Sequence, residues 1–70
     1  MFRDWRIEIQ GETGLYSNSS RDDWQGFPVV GDVQDLLLRL QFGGEERVRC
    51  RIIDVDQGGW DRTVKVVITA

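Results

Sequence analysis

The sequence predicts a mainly β fold: a small five-stranded barrel, or a curled antiparallel meander. Three observations carry this. Apolar and polar residues alternate with period two in several short stretches, the spacing of half-buried strands. Glycine-bearing turns separate those stretches, and the 70 residues hold eight Gly but a single Pro. The chain is also short, a single domain over 1–70 that buries only roughly 60% of its unfolded surface. Strands this short bury one face only by curling, and curling also protects the edges.

The first strand is Trp5–Gln10, where Trp5, Ile7 and Ile9 alternate with Arg6, Glu8 and Gln10. Gly11-Glu-Thr-Gly14 follows as a tight turn, because glycine supplies the positive φ that a hairpin needs. Leu15-Tyr16-Ser17 starts a short second strand. Asn18 to Asp23 is polar and rich in turn formers, so it reads as loop. Trp24-Gln-Gly-Phe27-Pro28 continues that loop with two large aromatics. Pro28 suits a strand entrance, where its missing N–H costs nothing.

Residues 33–42 satisfy two patterns. As a helix, Asp32 is the N-cap, Val33, Leu36, Leu37 and Leu40 form an apolar face, and Gly43 ends it. The fold is then α+β, with one helix at about 33–42 on a small sheet. As a strand, Leu36, Leu38, Leu40 and Phe42 share a face opposite Asp35, Arg39 and Gln41, with Leu37 out of place. Context favours the strand, because Gly43-Gly44-Glu45-Glu46 reads as a hairpin turn into the next one. There, Val48, Cys50 and Ile52 alternate with Arg47, Arg49 and Arg51. Ile53 and Val55 then fall on the arginine face, so either a bulge switches the phase or both faces are buried. After a glycine turn, Thr63–Thr69 is β-branched almost throughout, a strand by composition. The Pro-Val-Val-Gly-Asp entrance and the meander over 28–69 are similar in architecture to small SH3-like and OB-like barrels.

Composition excludes much chemistry. There is no histidine, the commonest general base and a common metal ligand, and the lone Cys50 can form no internal disulfide. The sequence therefore predicts no catalysis, no metal and no cofactor. No apolar run approaches the ~20 residues of a membrane helix. The start of the chain lacks a signal-peptide pattern, so a cytoplasmic protein is expected. Nine basic residues, eight of them Arg, face twelve acidic ones, for a net charge of −3. Residues 1–35 carry three basic and seven acidic groups, and residues 36–70 carry six and five.

Several constellations fall short of a chemical site. Asp54, Asp56 and Asp61 surround Gly58-Gly59, yet they lack the spacing and closing Glu of a calcium loop. No spacing marks a pair of carboxylates for glycoside hydrolysis. Cys50 falls mid-strand on the predicted core face, without a base, and Ser17, Ser19 and Ser20 have no histidine partner. The glycine turns lack the Gly-Lys-Ser/Thr ending of a phosphate loop.

Two features remain. Arg47, Arg49 and Arg51 share a strand face, beside Arg39. Their guanidinium groups pair with Glu8, Asp35, Glu45 or Glu46, or else they read a phosphate or an acidic protein. Three tryptophans are many for this length. Trp5 alternates with Ile7 and Ile9 as core. Trp24 and Trp60 sit in loops, where they either cap a barrel end or lie exposed with Phe27, rimmed by Asp22, Asp23 and Asp61. Exposed, they suit a protein partner, since Trp and Arg dominate interface hot spots. The expected protein is a non-enzymatic protein-binding module, an adaptor, inhibitor or assembly factor of the kind phages and mobile elements carry. The alternatives are nucleic-acid binding on the arginine face, which net acidity disfavours, and a self-assembling structural or virion subunit.

Overall fold

The computed structural model describes residues 2–11, 14–58 and 62–69, with the backbone alone at 2–4, 23 and 25. Among the described residues there are five strands: β1 (Phe2–Ile9), β2 (Ser20–Gln25), β3 (Val33–Arg39), β4 (Glu45–Asp56) and β5 (Thr63–Ile68). They form one sheet in the order β2-β1-β5-β4-β3, curled so that its two edge strands nearly meet. The small β-barrel expected from the sequence is thus present. Among the described residues no helix is long and apolar enough to cross a membrane.

Two local outcomes correct the sequence reading, and a third decides between its alternatives. Residues 33–39 are strand, as context favoured, with Leu36 and Leu38 buried against the core. The sheet is mixed rather than an antiparallel meander, because β1 lies parallel to β5, with Ile7 opposite Val64 and Ile9 opposite Val66. The segment read as loop, 18–25, contains β2, which pairs antiparallel with β1 from Phe2↔Gln25 to Ile7↔Ser20. Leu15–Ser17 contributes only a single bridge, Tyr16↔Leu40.

The core is built from the alternations. Trp5, Ile7 and Ile9 of β1, Leu36 and Leu38 of β3, Cys50 and Ile52 of β4, and Val64 and Val66 of β5 are all buried. A bulge between Ile52 and Asp54 shifts the β4–β5 register. Ile53 faces outward by plain alternation and is 41% exposed, while the bulge lets Val55 pack against the core. That is the phase switch the sequence implied. Gly43 and Gly44 turn the β3–β4 hairpin with φ of +104° and +87°, values that an L side chain resists.

The gap between β2 and β3 decides how the barrel shuts. At one end it is bridged by main chain: Ser17 N–H donates to the Arg39 carbonyl and Gln41 N–H to the Leu15 carbonyl, both at 2.7 Å. Beyond that, side chains of β2 take over. Ser20 Oγ accepts from Arg39 N–H at 2.7 Å, and Asp22 Oδ2 accepts from Leu37 N–H at 3.2 Å. Trp24 Nε1 donates to Gln34 Oε1 at 3.2 Å, and Gln34 in turn donates to Asp32 at 2.7 Å. Positions 20, 22 and 24 share one face of β2, so a polar alternation supplies one rung every second residue. The outward N–H groups of Leu37 and Arg39 on β3 are thus satisfied by side chains rather than by the backbone of β2.

Removing a rung leaves a partly buried N–H unpaired, which costs about 1–3 kcal/mol. Urea unfolding of Ser20→Ala and Asp22→Ala should show losses of that order. Asp22→Asn keeps an acceptor for Leu37 and should lose less than Asp22→Ala. Equal losses for the two Asp22 variants would contradict the rung.

Candidate functional site

Phe2, Gln25, Asp56 and Thr63 all lie at one end of the barrel, and the 26–32 connection crosses there. A turn over Val29–Asp32 closes with Asp32 N–H donating to the Val29 carbonyl at 3.1 Å. Gly31 takes φ +93°, the left-handed value that the third residue of a type II turn needs. Two main-chain bonds fasten the turn to β4: Gly31 N–H to the Ile52 carbonyl at 2.7 Å, and Ile52 N–H to the Asp32 carbonyl at 2.9 Å. Pro28 is buried behind it. Val29 and Val30 are exposed in a turn bonded to Ile52, the residue before Ile53, and Val33 lies directly across from Arg51.

Five of the seven large hydrophobic residues exposed among those described lie here: Phe27, Val29, Val30, Val33 and Ile53. The other two, Leu15 and Phe42, stand at the opposite end, near one another through the Gln41–Leu15 bond. Apolar surface collected in one place, rather than scattered singly, is the feature that makes this end the candidate site.

The aromatic residues divide. Trp24 is only 8% exposed and belongs to the core, which corrects its placement in an exposed loop patch. Its ring meets Trp5 edge-on at 6.4 Å, and its N–H is used in the seam. Phe27 does both jobs. It packs edge-on against Trp5 at 5.4 Å and still leaves half its surface open. Arg62 lies over the Trp5 ring at 5.8 Å, a cation–π contact. Trp5 itself is fully buried, and its Nε1 has no hydrogen-bond partner among the described residues, a cost the aromatic packing offsets. Trp60 and Asp61 lie outside the described residues, as does the side chain of Asp23.

The arginine row divides too. Arg47 reaches over the seam, donating to Asp22 Oδ2 and to the Asp35 carbonyl, each at 3.4 Å. Asp22 is thus a structural acid, accepting from both Leu37 and Arg47, rather than the rim of an open patch. Arg49 pairs with Asp35 directly across the ladder at 3.3 Å. Both side chains are more than half exposed, so the pair contributes little. Arg51 lies between Val33 and Val67 with no carboxylate in salt-bridge range among the described residues. Of the acids expected to neutralise the row, Asp35 does so. Glu46 instead accepts a short hydrogen bond from the Tyr16 hydroxyl, which raises the Tyr16 pKa.

Cys50 is fully buried, its thiol donating to the Val48 carbonyl, and burial pushes its pKa up to about 11. It is the small core hydrophobe the sequence suggested and has no thiolate to offer near neutral pH. Among the described residues no group of three or more Cys, Asp or Glu could hold a metal ion. The sequence reading passed over Val29, Val30, Val33 and Ile53. The available signal was a Val-Val pair between Pro28 and Gly31, too short to bury itself. Comparison with protein-family models, with curated proteins and with solved structures finds no match.

The two aromatics of the 24–27 segment separate by stability. Trp24→Ala should cost about 3–5 kcal/mol, as large core truncations do. Phe27→Ala should cost about 1 kcal/mol, because half the ring already meets water. Chemical denaturation compares them, and equal small losses would return Trp24 to the surface.

Proposed function

We propose that this chain is a non-enzymatic protein-binding module whose contact surface is the apolar end of the barrel. The carrying observation is the gathering of Phe27, Val29, Val30, Val33 and Ile53, each 41–60% exposed, around the turn fastened to β4. Apolar residues supply the contact area, and Arg51, flanked by Val33 and Val67, supplies a charge at its margin. Rigidity supports the same reading. Two main-chain bonds hold the Val29–Asp32 turn, so little ordering entropy is lost on docking.

The surface differs from the aromatic loop patch that the sequence suggested. Trp24 is withdrawn into the core, while Phe27 stays. A nucleic-acid surface on the arginine row has less support, because Arg47 and Arg49 already face Asp22 and Asp35. The lack of histidine and the inert setting of Cys50 favour binding over catalysis.

A photo-crosslinking residue placed at Val30, in the cell that makes the protein, tests this. Discrete protein adducts should form at 30 and disappear when Ile53→Asp is added. The same probe at Gln10, exposed at the other end, should give none. Identical diffuse labelling at both positions would contradict the assignment.

A further inference from the structure

The outward residues of β4 change character along the strand. Arg47, Arg49 and Arg51 come first, Ile53 stands at the bulge, and Asp54 and Asp56 follow, all exposed. Val48, Cys50, Ile52 and Val55 point the other way, into the core. The bulge creates this order. It carries Ile53 and Asp54 to the same side, so the stripe is basic, then apolar, then acidic.

We propose that this stripe is a self-complementary surface on which a second copy of this chain docks, β4 against β4, antiparallel, about a two-fold axis near Ile53. The proposal rests on the protein-binding reading above and names its partner. In an isologous contact, residue i meets j and j meets i. Laid antiparallel, Arg51 of each copy faces the partner's Asp54, Arg49 faces the partner's Asp56, and the two Ile53 side chains meet near the axis. Packed sheets stand about 10 Å apart, a gap that arginine and aspartate side chains close between them. Val33 and Val67, beside Arg51 on the neighbouring strands, widen the apolar centre. Two charges of the stripe already have a neighbour of opposite sign, and Arg51, among the described residues, does not. Lys65 lies across from Asp54, and Asp35 pairs with Arg49 at an exposed position. Arg51 has no carboxylate partner among the described residues. A stripe of one sign would repel its copy, whereas a stripe that reverses sign about an apolar residue attracts it.

Sedimentation velocity at low salt, over a range of concentrations, reads the result. The wild-type mass should rise from 8.1 kDa toward twice that value, and added salt should oppose the rise. Arg51→Asp makes the centre of the stripe all acidic, and Asp54→Arg makes it all basic. Each variant alone should weaken association by at least about tenfold, because the two-fold axis repeats every repulsion. Mixed in equal amounts, the two should form a heterodimer, since each then meets its opposite at both positions. Recovery on mixing cannot come from unfolded chains, and circular dichroism of each variant checks the fold separately. A wild-type chain that stays monomeric at every concentration overturns the proposal, as does a dimer indifferent to both variants or a mixture that does not recover. If that monomer still forms Ile53-dependent adducts from position 30, the binding surface stands with a different partner. If it forms none and instead binds a single-stranded oligonucleotide at low salt, both readings fall and the arginine row is a nucleic-acid surface.

Discussion

Five short strands leave two edges, and here the edges belong to β2 and β3. Curling brings them together, but along most of their length the two backbones do not pair. Ser20, Asp22 and Trp24 fill the gap, each from the same face of β2, each reaching β3. That polar ladder is what the rest of the structure depends on. Without it, β3 would present bare N–H groups at Leu37 and Arg39, a template for pairing with another chain. The barrel would also stand open above Trp5, whose ring is covered by Trp24 and Phe27.

The ladder also sorts the surface. It uses the Trp24 indole, the Asp22 carboxylate and, through Asp22, the Arg47 guanidinium. These were three of the residues that sequence alone marked for a partner. Their work is internal, so the recognition we propose falls to groups the seam does not need. Those groups are the valines of the 29–32 turn, Phe27, Val33, Ile53 and the sign-reversing stripe of β4. The bulge at Ile53 matters twice: it keeps Val55 in the core and brings Asp54 and Asp56 to the outer face beyond Ile53.

Much of this was legible in the sequence, and the exceptions share a cause. β1 and β4 announced themselves through apolar alternation, β5 through its β-branched composition, and the bulge through the phase change after Ile52. β3 was ambiguous because Leu37 breaks its alternation; it lies in the strand, only partly exposed, opposite Arg47. β2 was read as loop because its inward positions are Ser, Asp and Trp, where strand patterning expects aliphatic residues. They are polar because their partners are backbone N–H groups and an amide across a seam, a tertiary fact that no local window contains. The parallel pairing of β1 with β5 is invisible for the same reason. Of the candidate site, the arginine row was plain in the pattern, but the pairing of Arg47 with Asp22 and of Arg49 with Asp35 depends on register. The valine turn looked like ordinary punctuation until its fastening to β4 was seen.

Amide hydrogen exchange at Leu37 and Arg39 tests the seam most directly. Both N–H groups point away from β4, toward β2, and only side-chain acceptors meet them. If Ser20 and Asp22 close the barrel, both amides should exchange about as slowly as Ile52, whose N–H bonds the Asp32 carbonyl. Exchange at the rate of an unstructured chain, with Ile52 still protected, would mean that β3 has an open edge and that the barrel is not closed.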